Sequence, residues 1–370
     1  MQSNTIARRI FQLITVVFAL LLPLAVFAAP PAGYPADYQK IIDAAKKEGK
    51  LVVYATTDTK AAEPVIKDFE ALYPGIKVEY NDLNSTELYS RFISEAAAGG
   101  GTGDVLWSSA MDLQVKLVSD GYAVTYQSPE AGKLPAWAVW KEQAYGTTYE
   151  PISIVYNKRL LKSDEIPKSH ADLAKVLANP KFKGKVVTYD PERSGVGFSY
   201  LTQDLKNNSK GFWDMAKALG GAGIKVYTST GAMMEKVSSG EALLGYNIIG
   251  SYAFKKAKSD PSIGFVYPSD YTVVMSRVAF IPKQASHPNA AKLWLDYTLS
   301  ARGQQIISDK ADLFSIRADI KGETTMAGLS KQLGSGAKPI PISKETIEFL
   351  DQAKRLDFLK KWQQAVGTVK

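Results

Sequence analysis

Small and hydroxyl-bearing residues stand directly after several predicted strands, where they are well placed to bind a ligand. Thr56, Thr57 and Asp58 follow one apolar run, and Ser108 and Ser109 follow another. Similar residues recur later in the chain at Arg193, Ser194, Gly195, Val196 and Gly197, at Thr230, and at Ser251 and Tyr252. Each set precedes a predicted helix, whose N-terminus offers free N–H groups and a partial positive charge to an anion.

Helix capping is the other interpretation of these residues, because Ser, Thr and Asp are preferred N-caps. For any one loop, capping is the simpler explanation, whereas several loops directed at one cleft support capping and anion binding equally. The glycines on either side of Val196 favour a close backbone approach to a ligand. Arg193 would add a planar donor for phosphate or carboxylate if it turned inward, and a solvent-facing Arg193 is equally consistent with the sequence.

The sequence contains few motifs or residue types that could support catalysis. It contains no G-x-S-x-G, G-x-x-x-x-G-K-[ST] or G-x-G-x-x-G motif. It has no cysteine, and its two histidines, His170 and His287, stand outside the predicted cleft loops. We therefore expect no catalytic residues, no metal site and no cofactor, and we keep a secreted hydrolase on the same fold as the alternative from a different class.

Strand and helix patterns alternate along the chain. Tyr38, Ile42 and Ala45 recur at helical spacing, and residues 51–54 form a short apolar run typical of a buried strand. The alternation restarts after Pro151, which predicts an α/β fold of two lobes with a cleft at the strand ends. The expected organisation is a signal peptide at 1–28, a first lobe at 34–151, a second lobe at 152–275, a return to the first lobe at 276–308 and a C-terminal segment at 309–370 that packs on the lobes.

Composition indicates a globular protein. Of 370 residues, 45% are hydrophobic and 22% charged, which excludes a disordered or collagen-like chain. The net charge of +8 is not concentrated in a block of like charges. It therefore favours a solvated basic surface, and we expect no nucleic-acid partner.

The N-terminus has the pattern of a cleaved secretory signal. Arg8 and Arg9 precede an apolar run over residues 10–27, and Ala28 provides a small residue at the cut. A membrane anchor is the alternative, but Pro23 and the alanine-rich exit favour cleavage. The mature protein is then expected to begin at Ala29, in the periplasm.

A family resemblance rests on five segments that occur in a fixed order: residues 51–54, 104–107, 151–158, 194–197 and 240–242. In this order they resemble the periplasmic solute-binding proteins of ABC importers (extracellular solute-binding protein family 1), and within these the group of ferric-ion-binding proteins. The resemblance implies a type II "Venus flytrap" whose lobes exchange two hinge strands, here about 152–157 and 273–281. It also implies a monomer without catalytic activity that delivers a small solute to permease subunits in the membrane.

The ligand set of the ferric binders is mostly missing. The resemblance places a histidine, a glutamate and adjacent tyrosines at the iron, where this chain has Asp58, Ser109 and residues 249–251 followed by Tyr252. The anion-holding loop of the group is matched by residues 194–196. The sequence thus favours a small anionic organic solute, such as a phosphonate or sugar phosphate. Ferric binding with altered ligands is the alternative, through Asp58, Tyr252 and a tyrosine such as Tyr149 or Tyr189.

Overall fold

The computed structural model describes residues 30–311 and 313–367. The predicted signal peptide, residues 1–28, lies outside the described residues. The chain divides into two compact units, residues 1–34 and 35–370. In the first unit, the Tyr34 N–H donates to the Pro31 carbonyl. The helices and strands given below belong to the second unit, and none of these helices is long and apolar enough to cross a membrane.

Strands and helices alternate as the sequence predicts, and the α/β fold is confirmed. The strands in chain order are β1 (Lys50–Ala55), β2 (Lys77–Asp82), β3 (Val105–Ser108), β4 (Val139–Trp140), β5 (Ala144–Gly146), β6 (Glu150–Asn157), β7 (Val186–Tyr189), β8 (Lys225–Tyr227), β9 (Leu244–Ile249), β10 (Ile263–Val266), β11 (Thr272–Met275), β12 (Val278–Phe280) and β13 (Ala337–Pro339). The α-helices in chain order are α1 (Tyr38–Glu48), α2 (Thr59–Leu72), α3 (Ser85–Ala97), α4 (Met111–Ser119), α5 (His170–Val176), α6 (Gly195–Asn207), α7 (Phe212–Gly221), α8 (Thr230–Ser238), α9 (Gly250–Ser259), α10 (Pro288–Leu299), α11 (Ala301–Asp309), α12 (Met326–Leu333) and α13 (Gln352–Val366).

Apolar spacing and end signals account for individual elements. The helix α1 buries Tyr38, Ile42 and Ala45 on one face. It ends where Gly49 takes a left-handed conformation, φ 66°, which a residue without Cβ adopts at little cost. In contrast, β7 is buried at every residue, as expected for a strand covered on both faces.

The first lobe contains a sheet with the strand order β2-β1-β3-β12-β5-β4. β1 pairs in parallel with both β2 and β3. Parallel neighbours need a crossover connection, which α2 and α3 supply. β12, from much later in the chain, lies antiparallel to both β3 and β5 in the middle of this sheet.

The second lobe contains a sheet with the order β13-β11-β6-β9-β7-β8, with β10 pairing to β6. β7 is parallel to both β8 and β9, so the carboxyl ends of these three strands lie at one edge. β6 runs antiparallel to β9 and β11.

Two extended segments join the lobes. The first leads from β5 through residues 147–149 into β6, which pairs within the second sheet. The second runs from β11 of the second sheet through Ser276 and Arg277 to β12 of the first sheet. This is the two-lobed arrangement with two extended hinge strands that the resemblance implies.

The C-terminal segment contacts both lobes. The Arg317 guanidinium binds Glu130 and donates to the carbonyl of Leu299 in the first lobe. β13 then pairs in parallel with β11 of the second sheet. α13 packs on α7 of the second lobe and buries Phe358 and Trp362 there. The lobe boundaries given from the sequence remain a proposal.

Candidate functional site

A cavity of about 160 Å³ lies between the lobes. Its walls are the residues at the carboxyl ends of β1, β2 and β3 in the first sheet and of β7, β8 and β9 in the second. The lining includes six of the residues predicted from the sequence: Thr56, Asp58, Ser109, Val196, Thr230 and Tyr252. The structure therefore brings together side chains from both lobes that are far apart in sequence.

Sequence reasoning missed a wall of the cavity that follows β2. This wall consists of Asp82, Leu83, Asn84 and Ser85. The signal was present, because Asn84 with Glu87 three residues later is the pattern of a helix capping box. In the second lobe, Ser229 and Gly231 of the predicted loop around Thr230 and Tyr189 of the ferric alternative also line the cavity, whereas Thr228 and Ile249 were not predicted.

The loop at 193–197 differs most from the predicted anion grip. The Arg193 side chain is 68% exposed and its Nε lies 2.6 Å from Asp190 Oδ2, so it does not turn into the cavity. It lines instead a separate cavity of about 710 Å³ beside Trp362 of α13. Ser194 is the N-cap of α6, accepting a hydrogen bond from the Gly197 N–H at 3.2 Å.

The two glycines of this loop lie against protein atoms. A Cβ at Gly195 would stand 2.7 Å from Leu113 of the first lobe. A Cβ at Gly197 would stand 2.3 Å from Tyr189 Cβ. A side chain at Gly197 would collide with the base of the Tyr189 side chain, whereas one at Gly195 would have to displace the end of Leu113 across the cleft; of this loop only Val196 lines the cavity.

Three other predicted residues are buried beside the cavity and bind protein groups. The Thr57 hydroxyl accepts a hydrogen bond from Arg277 at 2.8 Å. The Ser108 hydroxyl accepts one from the Ala110 N–H at 3.1 Å. Ser251 donates to Glu150.

Several helix N-termini converge on the cavity. Asn84 and Ser85 begin α3, Val196 is in the first turn of α6, and Ser229 caps α8. Tyr252 lies in the first turn of α9, which has no side-chain cap. Ser109 stands two residues before α4. Each N-terminus carries about half a positive charge, so the helix dipoles together make the cavity attractive to an anion.

The charged side chains of the lining are carboxylates. Asp58 and Asp82 both face the cavity, and the described lining residues include no Lys, Arg or His. Asp82 Oδ2 accepts a hydrogen bond from the Thr59 N–H at 2.9 Å. Burial raises the pKa of Asp82, and the neighbouring charge of Asp58 raises it further.

A fully buried ion pair lies next to the cavity. Arg277 Nε stands 2.8 Å from Glu150 Oε1, and both side chains have no exposed surface. Burial alone would lower the pKa of Arg277, but the Glu150 carboxylate outweighs it and holds that pKa above its ordinary value. The guanidinium carbon also lies 5.5 Å from the centre of the Tyr252 ring.

Two tyrosines of the lining have raised pKa values. The hydroxyls of Tyr189 and Thr230 share a hydrogen bond, and the Tyr252 hydroxyl accepts one from the Asp58 N–H at 3.3 Å. Burial raises the pKa of both phenols well above the ordinary value.

The two lobes touch across the cleft. Ser85 Oγ in the first lobe accepts a hydrogen bond from the Val196 N–H in the second at 3.3 Å. Thr86 Oγ1 donates to the Arg193 carbonyl at 3.1 Å. These contacts define a closed arrangement of the lobes around the cavity.

Comparison with known proteins supports one family. The bacterial extracellular solute-binding protein family matches residues 55–305. The crystal structure of the substrate-binding protein of an ABC transporter from Agrobacterium tumefaciens is 38% identical, with a TM-score of 0.82, over 86% of this chain and 94% of that one.

Two more distant structures share the fold. The periplasmic binding protein AfuA from Actinobacillus pleuropneumoniae, with fructose-6-phosphate bound, is 20% identical over 86% of this chain and 98% of its own, with a TM-score of 0.72. Iron-bound HitA from Pseudomonas aeruginosa is 20% identical over 86% of this chain and 99% of its own, with a TM-score of 0.66. At this identity they show the fold alone.

The family predicted from the sequence is thus confirmed. Its members bind small ligands and work with the membrane permease subunits of ABC importers, and they are not enzymes. They act outside the cytoplasmic membrane, in the periplasm. The chain belongs to the bacterial extracellular solute-binding protein family.

Proposed function

We propose that the protein captures a small anionic organic solute, such as a phosphonate or a sugar phosphate, between its lobes. As a monomer it would deliver this solute to the permease of an ABC importer. The observation that carries the proposal is the convergence of the N-termini of α3, α6, α8 and α9 on one interlobe cavity. Aligned dipoles from several helices attract a phosphate or carboxylate without needing a cationic side chain, and the first-turn N–H groups that no side chain caps can donate to it.

Asp58 and Asp82 narrow the class of solute. Two carboxylates would repel a ligand that is anionic throughout, but they accept hydrogen bonds from hydroxyl groups. A solute with an anionic head and a hydroxylated body satisfies both the helix N-termini and the carboxylates. Fructose-6-phosphate, the ligand of AfuA, has this combination.

The test is a ligand screen by thermal shift, followed by calorimetric titration of the best compound. Phosphonates, sugar phosphates and small carboxylates should raise the melting temperature, because a ligand that binds only the folded state stabilises it. The matched control is each sugar without its phosphate. A best ligand that is neutral or cationic would contradict the proposal.

Ferric iron is a second candidate because Asp58, Tyr189 and Tyr252 line the same cavity. Tyr149, another tyrosine considered from the sequence, instead packs near Trp137, with ring centres 6.2 Å apart. The high pKa of both lining phenols opposes the tyrosinate that iron needs. Visible absorption after addition of ferric citrate would support iron, whereas a colourless protein that binds a sugar phosphate would exclude it.

A further inference from the structure

We infer that the buried Arg277–Glu150 pair couples the two lobes at the cavity. It holds the loop at residues 56–58 of the first lobe and the start of α9 in the second. The inference uses the proposed function only in taking the interlobe cavity as the binding site. Both residues lie on the extended segments that join the lobes, since Glu150 begins β6 and Arg277 stands between β11 and β12.

Arg277 is tied to the first lobe. Its Nη1 donates to Thr57 Oγ1 at 2.8 Å and to the Thr56 carbonyl at 3.5 Å. Thr57 is fully buried, and Thr56 lines the cavity one residue earlier. The guanidinium therefore fixes the loop that presents Thr56 and Asp58 to a ligand.

Glu150 is tied to the second lobe. Ser251 at the start of α9 donates to Glu150 Oε2, and the neighbouring Tyr252 lines the cavity. Arg277 also contributes on this side, because its guanidinium faces the Tyr252 ring at cation–π distance.

Separating the two buried charges is energetically unfavourable. Both side chains are inaccessible to water, so each charge depends on the other and on the hydroxyls that satisfy its remaining hydrogen bonds. Any motion that moves the Thr57 loop away from Ser251 strains this chain of contacts from lobe to lobe. The ion pair thereby limits the relative orientations of the two cavity walls.

The test replaces both charges, in Arg277→Met with Glu150→Gln, and measures the distance between the lobes without ligand. The chain has no cysteine, so spin labels can be attached at Ser90→Cys on α3 and Glu235→Cys on α8, both exposed positions. We expect a broader distribution of label-to-label distances than in the labelled parent. Inorganic phosphate, used as the probe, should also bind on the order of tenfold more weakly, because it meets a less ordered cavity.

A matched control separates this coupling from a general loss of stability. Arg317 and Glu130 form another ion pair, in which Arg317 is buried and Glu130 partly exposed, and neither lines the cavity. Arg317→Met with Glu130→Gln should lower the melting temperature but leave the distance distribution and phosphate binding unchanged.

If the double variant does not fold, two milder variants test the same coupling. Thr57→Val and Ser251→Ala each remove one tie to a lobe and keep both charges, and each should broaden the distribution. A distribution as narrow as the parent's in the folded variants would overturn the inference. If neither phosphate nor fructose-6-phosphate binds the parent, that result counts against the proposed function, and the distance distribution alone then tests the coupling.

Discussion

Asp58 is the cavity residue whose charge separates the two candidate ligands. It faces the cavity without a cationic partner in the described lining. We predict that Asp58→Asn tightens the binding of inorganic phosphate roughly fivefold, since two like charges about 4 Å apart in water repel by about 1 kcal/mol. Calorimetric titration measures the change.

The control for this prediction is Asp43→Asn, which removes the same charge from an exposed position on α1. It should leave phosphate binding unaltered. Weaker phosphate binding in Asp58→Asn, or a loss of ferric binding in that variant, would instead support a cationic ligand. If Asp58→Asn weakens the binding of a sugar phosphate but tightens the binding of inorganic phosphate, a hydroxyl group of the sugar phosphate contacts Asp58.

Ser85 and Ser194 make a second comparison at the scale of single residues. Ser85 accepts the Val196 N–H across the cleft, whereas Ser194 caps its own helix. Ser85→Ala should weaken binding of the best solute about three- to tenfold, because a hydrogen bond made only in the closed form is lost. Ser194→Ala should lower the free energy of unfolding by about 1 kcal/mol. Equal affinities in titrations of the two variants would contradict this assignment.

At the scale of elements, the strand ends were the informative part of the sequence. The rule that ligands bind beyond the carboxyl ends of parallel strands directed attention to Thr56, Ser109 and Thr230, and these residues line the interlobe cavity because β1, β3 and β8 form where the apolar pattern predicts. The direction in which a side chain points could not be predicted in this way. Arg193 is drawn outward by Asp190, and no periodicity encodes that contact.

The Arg277–Glu150 pair shows why the rest could not be predicted. The two residues are 127 positions apart, and they meet only because β6 and β11 pair in one sheet. Strands so far apart in sequence pair only in the folded tertiary structure. A glutamate at the start of a strand and an arginine between two strands carry no local sign of partnership.

The helix α4 carries a buried carboxyl that makes stability depend on pH. Asp112 is 3% exposed, and burial raises its pKa to about 7, although Arg355 of α13 opposes the shift. A carboxyl with a raised pKa in the folded state binds protons more tightly than the unfolded chain does. Its favourable contribution is present below about pH 4 and is lost as the pH rises to about 7.

We predict that Asp112→Asn removes this dependence. At pH 8 the variant should be more stable than the parent by up to about 4 kcal/mol, and near pH 4 the two should be equal. Urea unfolding at both pH values measures the difference. Asp120→Asn, at the exposed end of the same helix, is the control and should show no such gain. A variant less stable than the parent at pH 8 would refute the role of burial.

At the scale of the whole molecule, the contacts of Ser85 and Thr86 with the second lobe describe a closed state. A ligand shifts the lobes toward this state only by its preference for it. A preference of a few kcal/mol for the closed state is enough to hold the lobes closed, and a solute bound at ~1 µM has a total binding free energy of about −8 kcal/mol from which that preference can come.

We therefore predict that saturating solute lowers the radius of gyration measured by small-angle X-ray scattering. The scattering curve of the complex should match the closed arrangement described here. The control is the same sugar without its phosphate, which should cause no compaction. An unchanged radius with a solute that binds by calorimetry would argue against closure.

The position of β12 in the first sheet has a consequence for the order of folding. This strand lies between β3 and β5 but is synthesised only after β6–β11 of the second lobe. The edges of β3 and β5 thus have no partner until residues 278–280 have emerged, and an unpaired edge invites association with other chains. The strands β6–β11 are contiguous in the chain, but the second lobe also lacks its edge strand β13 and its helix α13 until the end of synthesis. Each lobe thus depends on a segment that is synthesised late, so we expect the two lobes to complete their folding together rather than one after the other.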